Sequence, residues 1–313
     1  MLGKTAGGLF WLFRYMERSE NMARMIDAGL RISLTRGSAA DAEWTSILRA
    51  VAMEDGYRAR HGEIAGDRVV DFLLRDPANP GSVMANVEAA RNNARLVRTA
   101  LTREVWEAVN ECYMVLRDLL AEPIADRDLP RVLQVIRQRS AFVRGARHGS
   151  MVRNDIYDFA RIGGFFERAD STARMLQVKY YILLPSVGQV GGPLDNVQWE
   201  TILRATASVR AFQTLYDTDV DPHGIVQFLV RDRRLPRSLA FCLDSIHGNL
   251  DYLKEEYGTL MPCHDKADAI CRTLRETDVD GIFDYGLQDF VGDFIRDLND
   301  LGRQIEIDYR FYE

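Results

Sequence analysis

The sequence is poor in every signal that announces a familiar chemistry. Strand signals are nearly absent: no sustained alternation with a period of two occurs, and no Asn-Gly or Asp-Gly turn joins β-branched runs. Only five histidines and four cysteines occur among 313 residues. The histidines (His61, His148, His223, His247, His264) form no His-Glu-x-x-His pattern, and Cys263-His264 with Cys271 is too sparse for zinc, so no metal site is expected. Cys112, Cys242, Cys263 and Cys271 share no regular spacing, which reads as reduced thiols of a cytoplasmic protein rather than a disulfide framework. No Gly-rich loop between strand and helix offers a phosphate cradle, and no Gly-x-Ser-x-Gly elbow or Cys/His dyad emerges from the spacing. No nucleotide or other cofactor is therefore expected. No run of about 18 apolar residues suggests a membrane span. Met1-Leu2-Gly3-Lys4-Thr5 leads straight into an amphipathic stretch carrying Arg14, Glu17 and Arg18, unlike a signal peptide.

What is present is helical periodicity. Apolar content of 47% and charged content of 27% are those of a globular chain. The net charge of −6 argues against a general nucleic-acid binder while leaving room for a local basic pocket. From Leu9 to Leu30, the residues Leu9, Leu12, Phe13, Met16, Ala23 and Leu30 share one helical face, and Arg14, Glu17, Arg18, Asn21 and Arg24 share another. Gly37-Ser38-Ala39-Ala40-Asp41 breaks the chain, with Asp41 placed to cap the next helix. Further helices are expected around Trp44 to Ala52, Asp67 to Arg75, after the cap Ser82, after Thr102, over Leu129 to Arg147 with Phe142 on its apolar side, and over Asn154 to Tyr181. Asp221-Pro222 reads as an N-cap followed by proline at the first helical position. The acidic C-terminal helix, with Asp289, Asp293, Asp297 and Asp300 at helical spacing, reads as a solvated face or a partner surface.

The second half repeats the first in order. Phe166-Glu167-Arg168 lies over Met16-Glu17-Arg18 and Ala173-Arg174-Met175 over Ala23-Arg24-Met25. Trp199 to Ala205 lies over Trp44 to Ala50, Phe228 to Asp232 over Phe72 to Asp76, and Pro236-Arg237-Ser238-Leu239 over Pro80-Gly81-Ser82-Val83. Small loop insertions account for the drift in register, Pro185 to Pro193 being the obvious one. Two copies of a helical unit bury equivalent faces against each other about a pseudo-two-fold axis. The expected architecture is all-α: one multi-helix domain over 1–313, built from tandem repeats of roughly 1–150 and 151–313.

The charged stripe admits three readings. Arg14 to Glu17 and Glu20 to Arg24 stand at i, i+3 and i, i+4, as on a solvated face with helix ion pairs. A buried Glu–Arg lattice could instead fix the register between the halves. Third, the arginines could present forked donors to a carboxylate or phosphate in a central pocket. Arg91, Arg95 and Arg98 form a second basic stripe, which the second half lacks, since its matching helix reads His247 to Lys254.

Leu9 to Arg24, with Ala90 to Arg98, Trp106 and Asn110, resembles the alpha-E family, the bacterial all-helical domain named for its Glu-Arg motif. Two departures stand out: Phe13 where the family usually has glycine, and Gly164 where an arginine would match Arg14. The resemblance implies company: a circularly permuted ATP-grasp protein, which activates carboxylates and forms amide bonds, and a transglutaminase-like cysteine peptidase homologue. The leading expectation is thus a non-catalytic helical partner or substrate-holding subunit of a peptide or amide ligase system. It would engage that enzyme, or an acidic peptide, through Arg14, Glu17, Arg18, Arg24, Arg91 and Arg95, with Glu167, Arg168 and Arg174 as second-repeat counterparts. The alternative is an enzyme in its own right, with Glu17 or Glu167 as base in an arginine-lined pocket. A third is a structural lattice with function on the outer surface.

Overall fold

The computed structural model describes residues 1–36, 40–183, 193–216 and 221–312, and among these there is no strand. The first half contains α1 (Gly3–Arg36), α2 (Ala40–Ala50), α3 (Glu54–His61), α4 (Gly66–Leu74), α5 (Val83–Leu96), α6 (Arg103–Leu119) and α7 (Leu129–Ser150). The second contains α8 (Asp155–Leu183), α9 (Pro193–Ala205), α10 (Val209–Tyr216), α11 (Pro222–Val226), α12 (Leu239–Tyr257), α13 (Pro262–Glu276), α14 (Val279–Tyr285) and α15 (Leu287–Asp308). The expected break at Gly37-Ser38-Ala39 and the expected insertion at Pro185 to Gly192 lie outside the described residues. Asp41 falls within α2, not ahead of it.

Local chemistry sets the helix starts. Side-chain oxygens of Ser82, Thr102, Asp221 and Ser238 accept from backbone amides three residues on, as the sequence leads one to expect. The expected apolar face of α7 needs one correction: Phe142 is largely exposed, and Val132, Leu133, Ile136 and Val143 make the buried side.

Two long helices form the axis of the molecule. α1 and α8 cross in direct backbone contact at Gly163, where a Cβ would sit 2.1 Å from the carbonyl oxygen of Phe10. Only glycine permits that approach. Around the crossing, Phe10 meets Phe166 edge-on at 5.8 Å and Phe311 at 5.4 Å, tying the end of the chain to its beginning. α5 and α7 pack on α1, while α12 and α15 pack on α8. Local features recur in matched places. The residues two positions beyond α2 and α9, Ala52 and Ala207, both adopt a left-handed conformation, at φ 55° and 54°. Met53 and Ser208 then donate equivalent backbone hydrogen bonds to Leu48 and Leu203.

The four cysteines are free and buried. Among the described residues no helix is long and apolar enough to cross a membrane, and no group of histidine, cysteine and acidic side chains could hold a metal.

Candidate functional site

The polar faces of α1 and α8 turn toward each other, and the motif closes on itself. Glu167 accepts a two-pronged pair from Arg18, at 2.5 and 2.8 Å, and a further bond from Arg14 at 3.1 Å. Reciprocally, Glu17 accepts a two-pronged pair from Arg168, at 2.8 and 2.9 Å. The next turn repeats the exchange. Arg24 binds Glu20 at 2.7 Å and reaches the Ala205 carbonyl at the end of α9. Arg174 binds Asp170 at 2.6 Å and reaches the Ala50 carbonyl at the end of α2. Glu17, Glu20, Glu167 and Arg168 are buried, so the solvated-face reading does not describe this stripe.

Two features depart from the spacing argument. Arg14 does not pair with Glu17 along its own helix; it crosses to Glu167, its guanidinium 4.4 Å from the ring centres of both Trp11 and Phe166. So enclosed, Arg14 is a strut and not an open donor. The missing counterpart at Gly164 is supplied from elsewhere. Gly164 leaves space for Arg147, whose Nη1 donates to the Ala160 carbonyl at 2.9 Å and whose guanidinium covers Phe13 at 4.9 Å. Arg144 binds Glu17 at 3.1 Å and Glu20 at 2.7 Å. Arg237 lies 3.4 Å from Glu17, donates to Glu20 at 2.8 Å and to Asn21 at 3.0 Å. Sequence reasoning missed Arg144, Arg147 and Arg237. The empty arginine position at Gly164 was the available signal, because a buried carboxylate needs its charge met from somewhere.

The electrostatics follow. Burial alone would raise the Glu17 carboxyl, but Arg168, with Arg237 and Arg144 behind it, holds it well below the usual carboxylate range. Glu167 is likewise desolvated, yet Arg18 and Arg14 bring it down to about 2. Burial lowers the Arg14 guanidinium, which stays charged against Glu167. Carboxyls depressed in the folded state favour folding fully above their ordinary value of 4.5, and that contribution disappears as pH falls through the folded value. Denaturant midpoints should therefore be flat above about pH 5 and fall steeply below it. A midpoint that holds down to about pH 3 would show that neither carboxylate supports the fold.

Two spaces adjoin the crossed Glu17–Arg168 and Glu167–Arg18 pairs. A hole of about 20 Å³, the size of one water, lies among Phe13, Glu17, Arg147, Gly164 and Arg168. On the other side, a cavity of about 220 Å³ is lined by Arg18, Asn21, Met53, Glu167, Asp170 and Arg174. Arg18 and Arg174 are 30% and 26% exposed at this cavity, and Arg18 Nη1 and Arg174 Nη2 donate to no described residue. Arg24, Arg91 and Arg95 do not join them. Arg91 donates to Asn110 at 2.8 Å and covers Tyr113, so it packs toward α6, while Arg95 is exposed on the same helix, α5; neither lines either space.

These elements define a class: a helical protein organised around a buried, reciprocal glutamate–arginine lattice. The chain belongs to the Alpha-E family, whose model, described as a predicted alpha-helical domain with a conserved ER motif, matches residues 1–309. Uncharacterized proteins of Mycobacterium bovis and of Mycobacterium tuberculosis are each 22% identical to it over 281 residues, 83% of this chain. The chain spans 31% of the length of either relative. No solved structure matches.

Proposed function

We propose that the chain is a cytoplasmic, non-catalytic helical subunit that holds a substrate or partner segment for an ATP-grasp-type peptide or amide ligase, in company with a transglutaminase-like protein. The observation that carries this is the open cavity at one end of the lattice, where Arg18 and Arg174, one from each long helix, keep donors that meet no described residue. Forked donors of this kind suit the carboxylate of an acidic peptide or an acyl phosphate. The enzyme alternative is less well served. A general base needs a pKa near working pH and a lone pair turned to substrate, whereas Glu17 and Glu167 are held ionised and occupied by arginines. The structural reading applies to Arg14, Glu17 and Arg168.

We also infer that residues of roughly 1–150 and 151–313 are two copies of one unit, packed as a single domain. The crossed Glu17–Arg168 and Glu167–Arg18 pairs support this, as do the matched reaches of Arg24 to Ala205 and Arg174 to Ala50.

Reconstitution with the purified ATP-grasp neighbour tests the function. Amide formation should rise when this chain is added and fall back when Arg18→Ala and Arg174→Ala are combined. Turnover of an amide-forming or amide-cleaving assay by the chain alone would overturn the proposal in favour of an enzyme.

A further inference from the structure

The 220 Å³ cavity has an occupied twin inside the same molecule. Ser238, the N-cap of α12, is preceded by Arg237, whose buried guanidinium runs inward to Glu20 and Asn21. Ser82, the N-cap of α5, is preceded by Gly81, which has no side chain to send. The flanking position changes in concert. Beside the place that a side chain at 81 would enter stands Met53, whose Cε would meet a Cβ on Gly81. The residue in the matching position of the other half is the small Ser208. One side therefore carries Arg237 with Ser208 and is filled, and the other carries Gly81 with Met53 and is open.

An acceptor that a guanidinium would meet is still there. Asp170 stands in the place of Glu20 and is 8% exposed; its Oδ2 holds Arg174, but its Oδ1, also buried, meets no donor among the described residues. Asn21, 4% exposed and in the same cavity wall, accepts from Arg237 at its Oδ1 and keeps its Nδ2, a donor suited to an acidic group, without a partner among the described residues. Buried polar atoms of this kind are costly unless something meets them. We propose that the cavity contains a deep cationic subsite that takes the guanidinium group of a ligand, in the way that Arg237 fills the matching space across the lattice. The inference rests on reading the cavity as a holding site and adds the chemistry of its inner end. Arg18 and Arg174 at the mouth receive an acidic group, and Asp170 within receives a guanidinium, so the ligand carries both charges, as an arginine residue beside a carboxylate does.

Calorimetric titration of the full chain distinguishes the parts, with N-acetylarginine carrying both groups, N-acetylagmatine the guanidinium as its sole charge, and N-acetylglutamate the acid alone. N-acetylarginine should bind best and N-acetylagmatine more weakly. Asp170→Asn should weaken both by roughly ten- to a hundredfold while sparing N-acetylglutamate. The combined change Gly81→Arg with Met53→Ser, which copies the filled side, should abolish binding of both guanidinium probes in a protein that melts no lower than the parent. Binding of N-acetylglutamate alone would overturn the cationic subsite and leave the acid-holding mouth standing. Unchanged N-acetylagmatine binding in the Gly81→Arg, Met53→Ser protein would place the guanidinium elsewhere and overturn the inference. No saturable binding of any of the three would overturn the subsite and the small-ligand form of the holding site together.

Discussion

Glu17→Gln is expected to lower the stability of the protein by about 3–5 kcal/mol, the range for breaking a buried ion pair by removing one partner. Glu17 is shared by Arg168, Arg144 and Arg237, so its neutralisation leaves three guanidinium groups with Glu20 as their main nearby anion. Arg168 and Arg237 are buried and cannot recover water without opening the α1–α8 contact. The measurement is the midpoint of urea unfolding at neutral pH. Arg103→Ala serves as the reference, since the Arg103–Glu107 pair lies on the surface and its loss should leave the midpoint where it was. Equal midpoints for the two variants would mean that the lattice contributes no more than a surface pair.

Gly163→Ala is expected to cost roughly 3 kcal/mol, the upper end of what overpacking usually brings. The added methyl would sit 2.1 Å from the Phe10 carbonyl oxygen, a backbone atom that no rotamer change can remove. α1 and α8 would have to part at the crossing on which the reciprocal Glu–Arg pairs depend. The adjacent Gly164→Ala is the contrasting case. Its Cβ would meet only Arg147 Nη1, at 3.2 Å, the far end of a flexible side chain. Its effect should stay within about 1 kcal/mol, since alanine favours a helix over glycine by a similar amount. Two neighbouring glycines should thus differ sharply in the same thermal melt, and equal effects would show that the crossing yields easily.

Much of the fold was legible because helices declare themselves locally. The caps at Ser82, Thr102 and Asp221 each depend on residues a turn or less apart, and the shared face of Arg14, Glu17, Arg18 and Arg24 on spacing along a single helix. Partnership across helices is a different matter. Spacing places Arg14 within reach of Glu17, yet Arg14 pairs with Glu167, because the crossing brings that carboxylate to a guanidinium already lodged against the Trp11 and Phe166 rings. The alignment of the two halves places Glu17 and Arg18 over Glu167 and Arg168, but periodicity alone does not say that they exchange partners. Arg144, Arg147 and Arg237 come from helices and turns remote in sequence. Arg147 takes the space that Gly164 leaves, and Arg144 and Arg237 converge on Glu20. Arg91 and Arg95 show the converse: members of a regular basic stripe, of which Arg91 turns to Asn110 on α6 and Arg95 is exposed.

The sharing of each central carboxylate among several arginines also governs how such a molecule can change over generations. A lone substitution at Glu17, Glu20 or Glu167 strands at least one buried cation, so the centre can be revised only by several coordinated replacements. Gly81 and Met53 stand under no such restraint, because altering either removes no charge from the lattice. Single replacements are therefore easier at such uncharged positions beside the cavity, whose shape can drift one residue at a time while the ionic frame is inherited unchanged.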